Sequence, residues 1–270
     1  MSLLDLIRLD GKRALVTGAG RGIGKGCALE LARSGADLIL NDRPGSEELY
    51  QTAEEIRAEG KNCWTVEADV FSPNDCESLV AEAVEQGGAI DILVSNPAYG
   101  KRGRLLDFAA ADFDKVVNAT FKSGFHISRA VARNMVERGK GGKILFISSV
   151  HARMPFERNA PYGAAKAALN HFTNSLAVEL FSHRINVNAI EPGWIDTPNE
   201  RITFSSEVLD AAGQGLPWGR LGTPADIGRA AAFLVSEAAD YITGTILPVD
   251  GGFRFKDMRA ETEPEENEPT

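Results

Sequence analysis

The chain has 270 residues, 43% of them hydrophobic and 25% charged, with 27 Gly and 12 Pro, a balance that excludes a fibre or a wholly disordered polymer and suits a packed domain. Its net charge of −9 argues against nucleic acid or an anionic membrane as partner, because both demand clustered positive charge. The three cysteines, Cys27, Cys63 and Cys76, lack CxxC or any metal-ligand spacing, so no metal site is expected and a reducing, cytoplasmic compartment is.

The opening "MSLLDLIRLDGKR" has no basic-then-apolar signal layout, and no apolar run approaches the roughly 18 residues of a spanning helix. From Arg13 onward, short runs rich in Val, Ile and Leu alternate with helix-period stretches. RALVTG, DLILND, NCWTVEAD, DILVSN, KILFISS, RINVNAIEP and GTILPVDGG read as strands buried on both faces. Between them, GKGCALELARSG, SEELYQTAEEIRAEG, PNDCESLVAEAVEQG, the long run from Ala111 to Gly139, PYGAAKAALNHFTNSLAVELFS and TPADIGRAAAFLVSE read as helices.

Such alternation predicts an α/β fold: one Rossmann-like, doubly wound domain over residues 1–255, its seven-stranded parallel sheet flanked by helices. Gly35, Gly60 and Gly87 stand where helices should end, and Ser46 and Thr223-Pro224 where they should begin. The stretch 199–222 fits no strand and predicts a helical insertion or lid, centred on 199–216. Residues 256–270 hold six acids and two bases and read as an acidic, solvated, disordered tail.

At the first strand–helix junction, "ALVTGAGRGIGKG" spaces glycines at 18, 20, 22 and 24. GxGxxG fits no register, since Ile23 and Lys25 fall where the third glycine belongs. TGxxxGxG does fit, through Thr17, Gly18, Gly22 and Gly24, with Arg21 and Ile23 inside the turn. Missing Cβ atoms let backbone N–H groups approach a pyrophosphate at the positive end of the next helix. A plain tight turn has the same composition; the position at the first junction favours the cofactor. Asp42 closes the second strand, where a carboxylate receives the ribose hydroxyls of NAD and repels a 2′-phosphate, whereas the adjacent Arg43 pairs with a 2′-phosphate and admits NADP; NAD is the expected cofactor, with NADP as the alternative.

Tyr162 and Lys166 lie four residues apart on one predicted helix, so their polar ends share a face. A nearby ammonium lowers a phenol pKa from ~10, and a phenol so tuned exchanges protons with an alcohol or ketone oxygen. Most such pairs met at random are a snorkelling lysine beside an amphipathic tyrosine, so context must decide. Thirteen residues before the tyrosine, a strand ends in Ser148 and Ser149, at the end of a parallel sheet where ligands sit.

Taken together, TGAGRGIG, Ser149, Tyr162-Gly-Ala-Ala-Lys166 and EPGWIDTP make the sequence resemble a short-chain dehydrogenase/reductase of the tetrameric type, from about Lys12 to Gly252. The resemblance implies that Tyr162 is the general acid–base and that Ser149 hydrogen-bonds the reacting oxygen. It implies that Lys166 holds the nicotinamide ribose and depresses the tyrosine pKa, and that Asn118 keeps a water in a proton relay. It assigns Gly18, Arg21, Gly22, Ile23, Gly24, Asp42, Arg43, Asp69, Val70, Asn96, Pro192, Gly193, Ile195 and Thr197, with Tyr162 and Lys166, to cofactor contact. It also implies a homotetramer built on the helices near 112–138 and 161–181. One segment departs from the family: Ser95-Asn96-Pro97-Ala98 replaces Asn-Asn-Ala-Gly, removing a backbone donor and adding a Cβ near the ribose.

The reaction so implied is NAD(P)-dependent hydride transfer on a secondary alcohol or ketone. His151, Arg153, Arg158 and Trp194 are the substrate candidates, joined by Phe156, Tyr99, Lys101, Glu191 and the 199–216 segment, and this polar, partly basic mix favours a sugar, polyol or sugar acid, with Arg153 or Arg158 as carboxylate partners. Solvated surface arginines are the plain alternative for those two. A 3-oxoacyl thioester reductase using NADPH and a non-catalytic dinucleotide sensor are the competing readings; the intact Ser149, Tyr162 and Lys166 disfavour the sensor.

Overall fold

The computed structural model describes residues 2–258, so the predicted acidic tail lies outside the described residues from position 259 onward. Seven of the apolar runs form strands: β1 (Arg13–Thr17), β2 (Asp37–Asp42), β3 (Cys63–Glu67), β4 (Ile92–Ser95), β5 (Gly142–Ile147), β6 (Ile185–Pro192) and β7 (Ile246–Val249). They make one sheet in the order β3-β2-β1-β4-β5-β6-β7, with every neighbouring pair parallel. The chain steps outward from β1 to β3, then restarts beside β1 and steps the other way. The reversal leaves a crevice at the carboxyl ends of β1 and β4, where open α/β sheets bind ligands.

The period-2 geometry of the strands divides the core into two layers. Ala14 and Val16 of β1 face one, Leu15 faces the other, and all three are fully buried. The first layer is closed by α2 (Gly22–Arg33) and α10 (Pro224–Leu234), the second by α4 (Pro73–Gly87), α6 (Ser123–Arg138) and α7 (Ala160–Leu180). The short α1 (Leu3–Ile7), absent from the sequence reading, is started by a capping box of Ser2 and Asp5; α3 (Glu47–Ala58) and α5 (Ala110–Val117) complete the flanking helices.

Helices α2 and α10 touch through glycine. A Cβ on Gly26 would lie 2.5 Å from Pro224, and one on Gly228 would overlap the Gly26 carbonyl oxygen. Thr223 and Asp226 start α10 with a capping box, as Thr223-Pro224 predicts.

Three boundaries differ from expectation. The run from Ala111 to Gly139 is not one α-helix: a π turn over Asn118–Lys122 separates α5 from α6. Gly35 and Gly60 adopt positive φ after α2 and α3, but α4 turns at Gly88 (φ +83°), while Gly87 stays helical and lies so near Ile39 that a Cβ would approach its Cδ1 to 2.8 Å. Ser46 precedes α3 without capping it, because its hydroxyl donates to Asp42 at 3.2 Å. The predicted insertion folds as α8 (Pro198–Thr203) and α9 (Ser206–Gly215). Among the described residues no helix is long and apolar enough to cross a membrane, and no group of three or more His, Cys, Asp or Glu is placed to hold a metal ion.

Candidate active site

The turn between β1 and α2 depends on glycine at four points. Gly18 and Gly22 have φ of +62° and +56°, where a side chain is strained, and a Cβ on Gly24 would overlap the Gly18 carbonyl oxygen. The backbone therefore runs closely past the start of α2, leaving the amino-terminal N–H groups around Arg21, Gly22 and Ile23 uncovered by side chains. This cradle fits a pyrophosphate. Gly20, outside the TGxxxGxG pattern, is equally constrained: its N–H donates to Asp42 Oδ2 at 3.1 Å, and a Cβ would come within 2.5 Å of that oxygen.

Asp42 thus stands at the rim of the cradle, its other oxygen accepting from the Arg43 N–H at 2.8 Å. Arg43 is exposed, and among the described residues its guanidinium has no partner. Arg21 instead faces Glu48 at 3.7 Å. Asn96 joins β4 to the turn, its side-chain amide donating to the Gly18 carbonyl at 3.2 Å and its N–H to Thr17 Oγ1 at 3.3 Å. The departure to Pro97-Ala98 therefore leaves the sheet and the β1–β4 crevice intact. Asp69 is exposed beyond β3, with Oδ1 accepting from the Phe71 N–H at 3.0 Å, beside buried Val70.

Along α7, residues 162, 166 and 170 form a row facing the end of β5. The Tyr162 phenol is hydrogen-bonded to Ser149, whose hydroxyl also accepts from the His151 N–H at 3.2 Å. One turn on, Lys166 is 1% exposed and donates to the Ile147 carbonyl at 2.6 Å. Another turn on, Asn170 accepts from Ser148 at 2.6 Å and donates to Glu191 Oε1 at 2.6 Å. Asn170 was not among the sequence candidates, although its i+8 spacing from Tyr162 places it on the same face.

The electrostatics correct one expectation. Burial pushes the Tyr162 phenol up to about 12, against a lowering by the Ser149 hydrogen bond and with a further push from the Glu200 carboxylate. Burial alone pulls Lys166 down to about 7. The lysine does not depress the phenol here, because its Nζ is tied to the strand carbonyl and lies 5.7 Å from the centroid of the tyrosine ring.

Asn118 opens the π turn and donates to the Phe71 carbonyl at 3.2 Å. At the end of β6, Pro192 and Ile195 are buried, and Gly193 is needed because a Cβ would approach Asp250 Cα to 2.8 Å. Thr197 caps α8 by accepting from the Glu200 N–H, and its methyl lies 3.6 Å from where a Cβ on Gly22 would be. The β6 turn and the glycine cradle therefore converge.

The substrate side is less as expected. Arg153 pairs with Glu191 at 2.9 Å, and Glu191 is fully buried rather than facing a pocket; its second oxygen has no partner among the described residues. Arg158 is exposed, strained at φ +63°, and nearest Glu157 at 3.6 Å. Arg153 is thus engaged within the protein, whereas Arg158 is solvated. Tyr99 lies under Lys115, and Lys101 pairs with Asp112. Trp194 donates to Glu200 at 2.8 Å and meets Phe204 edge to face, while the Arg102 guanidinium lies over the Phe204 ring at 5.6 Å. Among the predicted substrate residues, His151 packs against the reaction centre, its ring centroid 5.6 Å from that of Tyr162. Arg102 and Asn159 were missed, since nothing local in the sequence marks them, whereas Glu200 and Phe204 lie in the 199–216 segment that the sequence reading sets beside the substrate.

A sequence profile described as enoyl-(acyl carrier protein) reductase matches residues 18–254. The chain is 37% identical over 256 residues to 2-dehydro-3-deoxy-D-gluconate 5-dehydrogenase of Dickeya dadantii (strain 3937), spanning 93% of this chain and 98% of that one. Among solved structures, a 7α-hydroxysteroid dehydrogenase complexed with NADH and 7-oxo glycochenodeoxycholic acid superposes with a TM-score of 0.88 at 36% identity, covering 94% of this chain and 98% of that one. A gluconate 5-dehydrogenase of Burkholderia cenocepacia J2315, in complex with NADP and tartrate, superposes with a TM-score of 0.87 at 35% identity, covering 94% and 99%. On profile, sequence and structure alike, the chain belongs to the short-chain dehydrogenase/reductase family.

Proposed function

We propose that this chain is an NAD(P)-dependent oxidoreductase acting on a secondary alcohol or its ketone, in a sugar acid, sugar or polyol. The observation that carries the reading is the Ser149 hydroxyl hydrogen-bonded to the Tyr162 phenol, with Lys166 one turn along α7, at the sheet end that also bears the glycine cradle. A bound nicotinamide dinucleotide supplies or accepts the hydride.

The chain's own residues then divide the work. The turn through Gly18, Arg21, Gly22, Ile23 and Gly24 seats the pyrophosphate, and Asp42 and Arg43 face the adenosine ribose, the acid suited to free hydroxyls and the unpaired guanidinium to a 2′-phosphate. Asp69 and Val70 border the adenine, Asn96 and Lys166 the nicotinamide ribose, and Pro192, Gly193, Ile195 and Thr197 the carboxamide. Tyr162 takes the proton from the alcohol during oxidation and returns it to the ketone oxygen during reduction, while Ser149 donates a hydrogen bond to that oxygen. Asn118, at the π turn, holds a water on the path to bulk solvent. The substrate class rests on the polar surroundings of His151, Arg102, Trp194 and Glu200, and on relatives whose names specify gluconate derivatives.

Tyr162→Phe tests the reading: turnover of sugar acids and polyols with NAD or NADP should fall by ~10²–10⁴-fold, the range for a lost general acid–base. Dinucleotide binding, followed by calorimetry, should persist, and undiminished turnover would sink the assignment. We also read the exposed Phe113, Phe125, Val178 and Phe181 on and beside α5, α6 and α7 as subunit contacts of a homotetramer, and the three buried free thiols as suited to the cytoplasm. Sedimentation as a monomer at micromolar concentration would contradict the tetramer.

A further inference from the structure

The short loop that follows Ser149 folds an imidazole against the reaction centre. His151 stacks on Phe156 with ring centroids 4.1 Å apart and planes 17° from parallel, and Phe156 stacks in turn on Phe253, from the turn after β7, at 6.2 Å. The imidazole also meets Tyr162 edge to face, at 85°. With its backbone N–H on Ser149 Oγ, the residue is held from three sides.

Its protonation is equally constrained. Nδ1 faces the side-chain nitrogen of Asn159 at 2.5 Å. With the amide nitrogen turned toward the ring as it is here, Nδ1 accepts and the ring proton sits on Nε2. Asn159 is 8% exposed and stands at the start of α7, which makes the tautomer the product of a fixed, buried partner. Burial, assisted by the charge of Arg102, pulls the imidazole pKa down to about 4, so the ring is neutral at ordinary pH. Nε2 has no hydrogen-bond partner among the described residues, yet it is not one of their enclosed, unsatisfied polar atoms, and so it opens to solvent. A neutral, oriented, unused N–H donor beside a proton-transfer phenol is matched to an oxygen of the substrate.

We propose that His151 is a specificity-determining residue whose Nε2–H donates to an oxygen on the carbon next to the reacting one, so that the site selects α-hydroxy ketones and vicinal diols, with Asn159 as the positioning residue that fixes the tautomer. This rests on the dehydrogenase reading above and narrows its substrate class. The reacting oxygen is taken by Ser149 and Tyr162, and the oxygen on the adjacent carbon is the next polar group within reach of a ring packed against that tyrosine. A site built to hydrogen-bond a hydroxyl discriminates strongly against the analogue lacking it, because the donor, cut off from water by the bound substrate, is then left unpaired.

Acetoin and 2-butanone differ only by that hydroxyl. The ratio of their kcat/KM values, measured with NADH and NADPH, should favour acetoin in the wild type and fall by about tenfold or more in His151→Phe, which keeps the stacking ring and removes the donor. Intrinsic reactivity differences cancel in the comparison between variants. His151→Gln, which restores an N–H, should recover part of the ratio. Asn159→Asp, whose carboxylate draws the proton to Nδ1, should lower it while leaving the imidazole in place. An unchanged ratio in His151→Phe overturns the proposal. So does a ¹⁵N spectrum of the wild type showing His151 as the Nδ1–H tautomer or as the cation, a measurement that needs no turnover. A wild type with the Nε2–H spectrum but inert toward both ketones and toward the sugar acids and polyols above would instead fail at the dehydrogenase reading and remove the substrate assignment with it.

Discussion

Lys166 is an ammonium held almost wholly away from water with one carbonyl for company, and this should make the stability of the fold depend on pH in a specific way. It is 1% exposed, donates to Ile147, and pairs with no carboxylate among the described residues. Its pKa falls from the ordinary 10.5 to about 7 on folding. Between those values the unfolded chain holds a proton that the folded chain has released, so raising the pH favours the folded state, and below pH 7 the full penalty of the buried charge remains. With 1.36 kcal/mol per unit for complete dissociation, the gain between pH 7 and pH 9 comes to about 2 kcal/mol. Lys166→Met removes it. Burial pushes the Cys27, Cys63 and Cys76 thiols up to about 12, which opposes the trend above pH 9, and burial also lowers the pKa of Lys143. These groups are shared by both proteins and cancel in the difference. Urea unfolding of the dinucleotide-free chains at pH 7, 8 and 9 should therefore show the wild type gaining about 2 kcal/mol on the variant across that interval. Parallel stability curves would show that the lysine keeps an ordinary pKa in the folded protein and that the burial argument fails.

Two further substitutions address the cradle. Gly24→Ala places a methyl group on the Gly18 carbonyl oxygen and within 2.8 Å of the Asn96 amide, so the turn must open; dinucleotide affinity measured by calorimetry should drop by about tenfold or more, equivalent to about 1.4 kcal/mol, and an unaltered Kd would refute the close approach. Arg43→Ala removes an exposed, unpaired guanidinium beside Asp42, so affinity for NADP should fall relative to NAD by about tenfold, in line with the loss of a charge-assisted contact. Equal losses for both dinucleotides would show that Arg43 does not face the 2′ position.

What could be read from the sequence was what local spacing encodes. Strands buried on both faces announce themselves as unbroken apolar runs, glycines at 18, 22 and 24 mark a turn that no side chain fits, and Tyr162 and Lys166 share a helix face because 3.6 residues make a turn. What could not be read depends on pairs far apart in the chain. Arg153 and Arg158 looked alike on the page, yet Arg153 finds Glu191 thirty-eight positions away and Arg158 stays in solvent. Gly20 looked spare until the fold brought Asp42 against it. The π turn at Asn118 is invisible because its residues are ordinary helix formers, and only packing of α5 and α6 around the sheet end decides where an extra residue enters the coil. Even the sign of the tyrosine shift was beyond local reasoning, since it turned on where the lysine nitrogen points.

The glycine contact between α2 and α10 has a mechanical consequence. The amino terminus of α2 is the proposed seat of the pyrophosphate, and its height above the sheet is set by how deeply Pro224 and Gly228 let the Gly26 turn settle. A helix formed from residues two hundred positions later thus acts as the shim beneath the anion seat. Changes on the outer surface of α10 should be absorbed by solvent, whereas any added bulk on its inner stripe would tilt α2 and detune cofactor affinity without touching a single residue of the cradle itself.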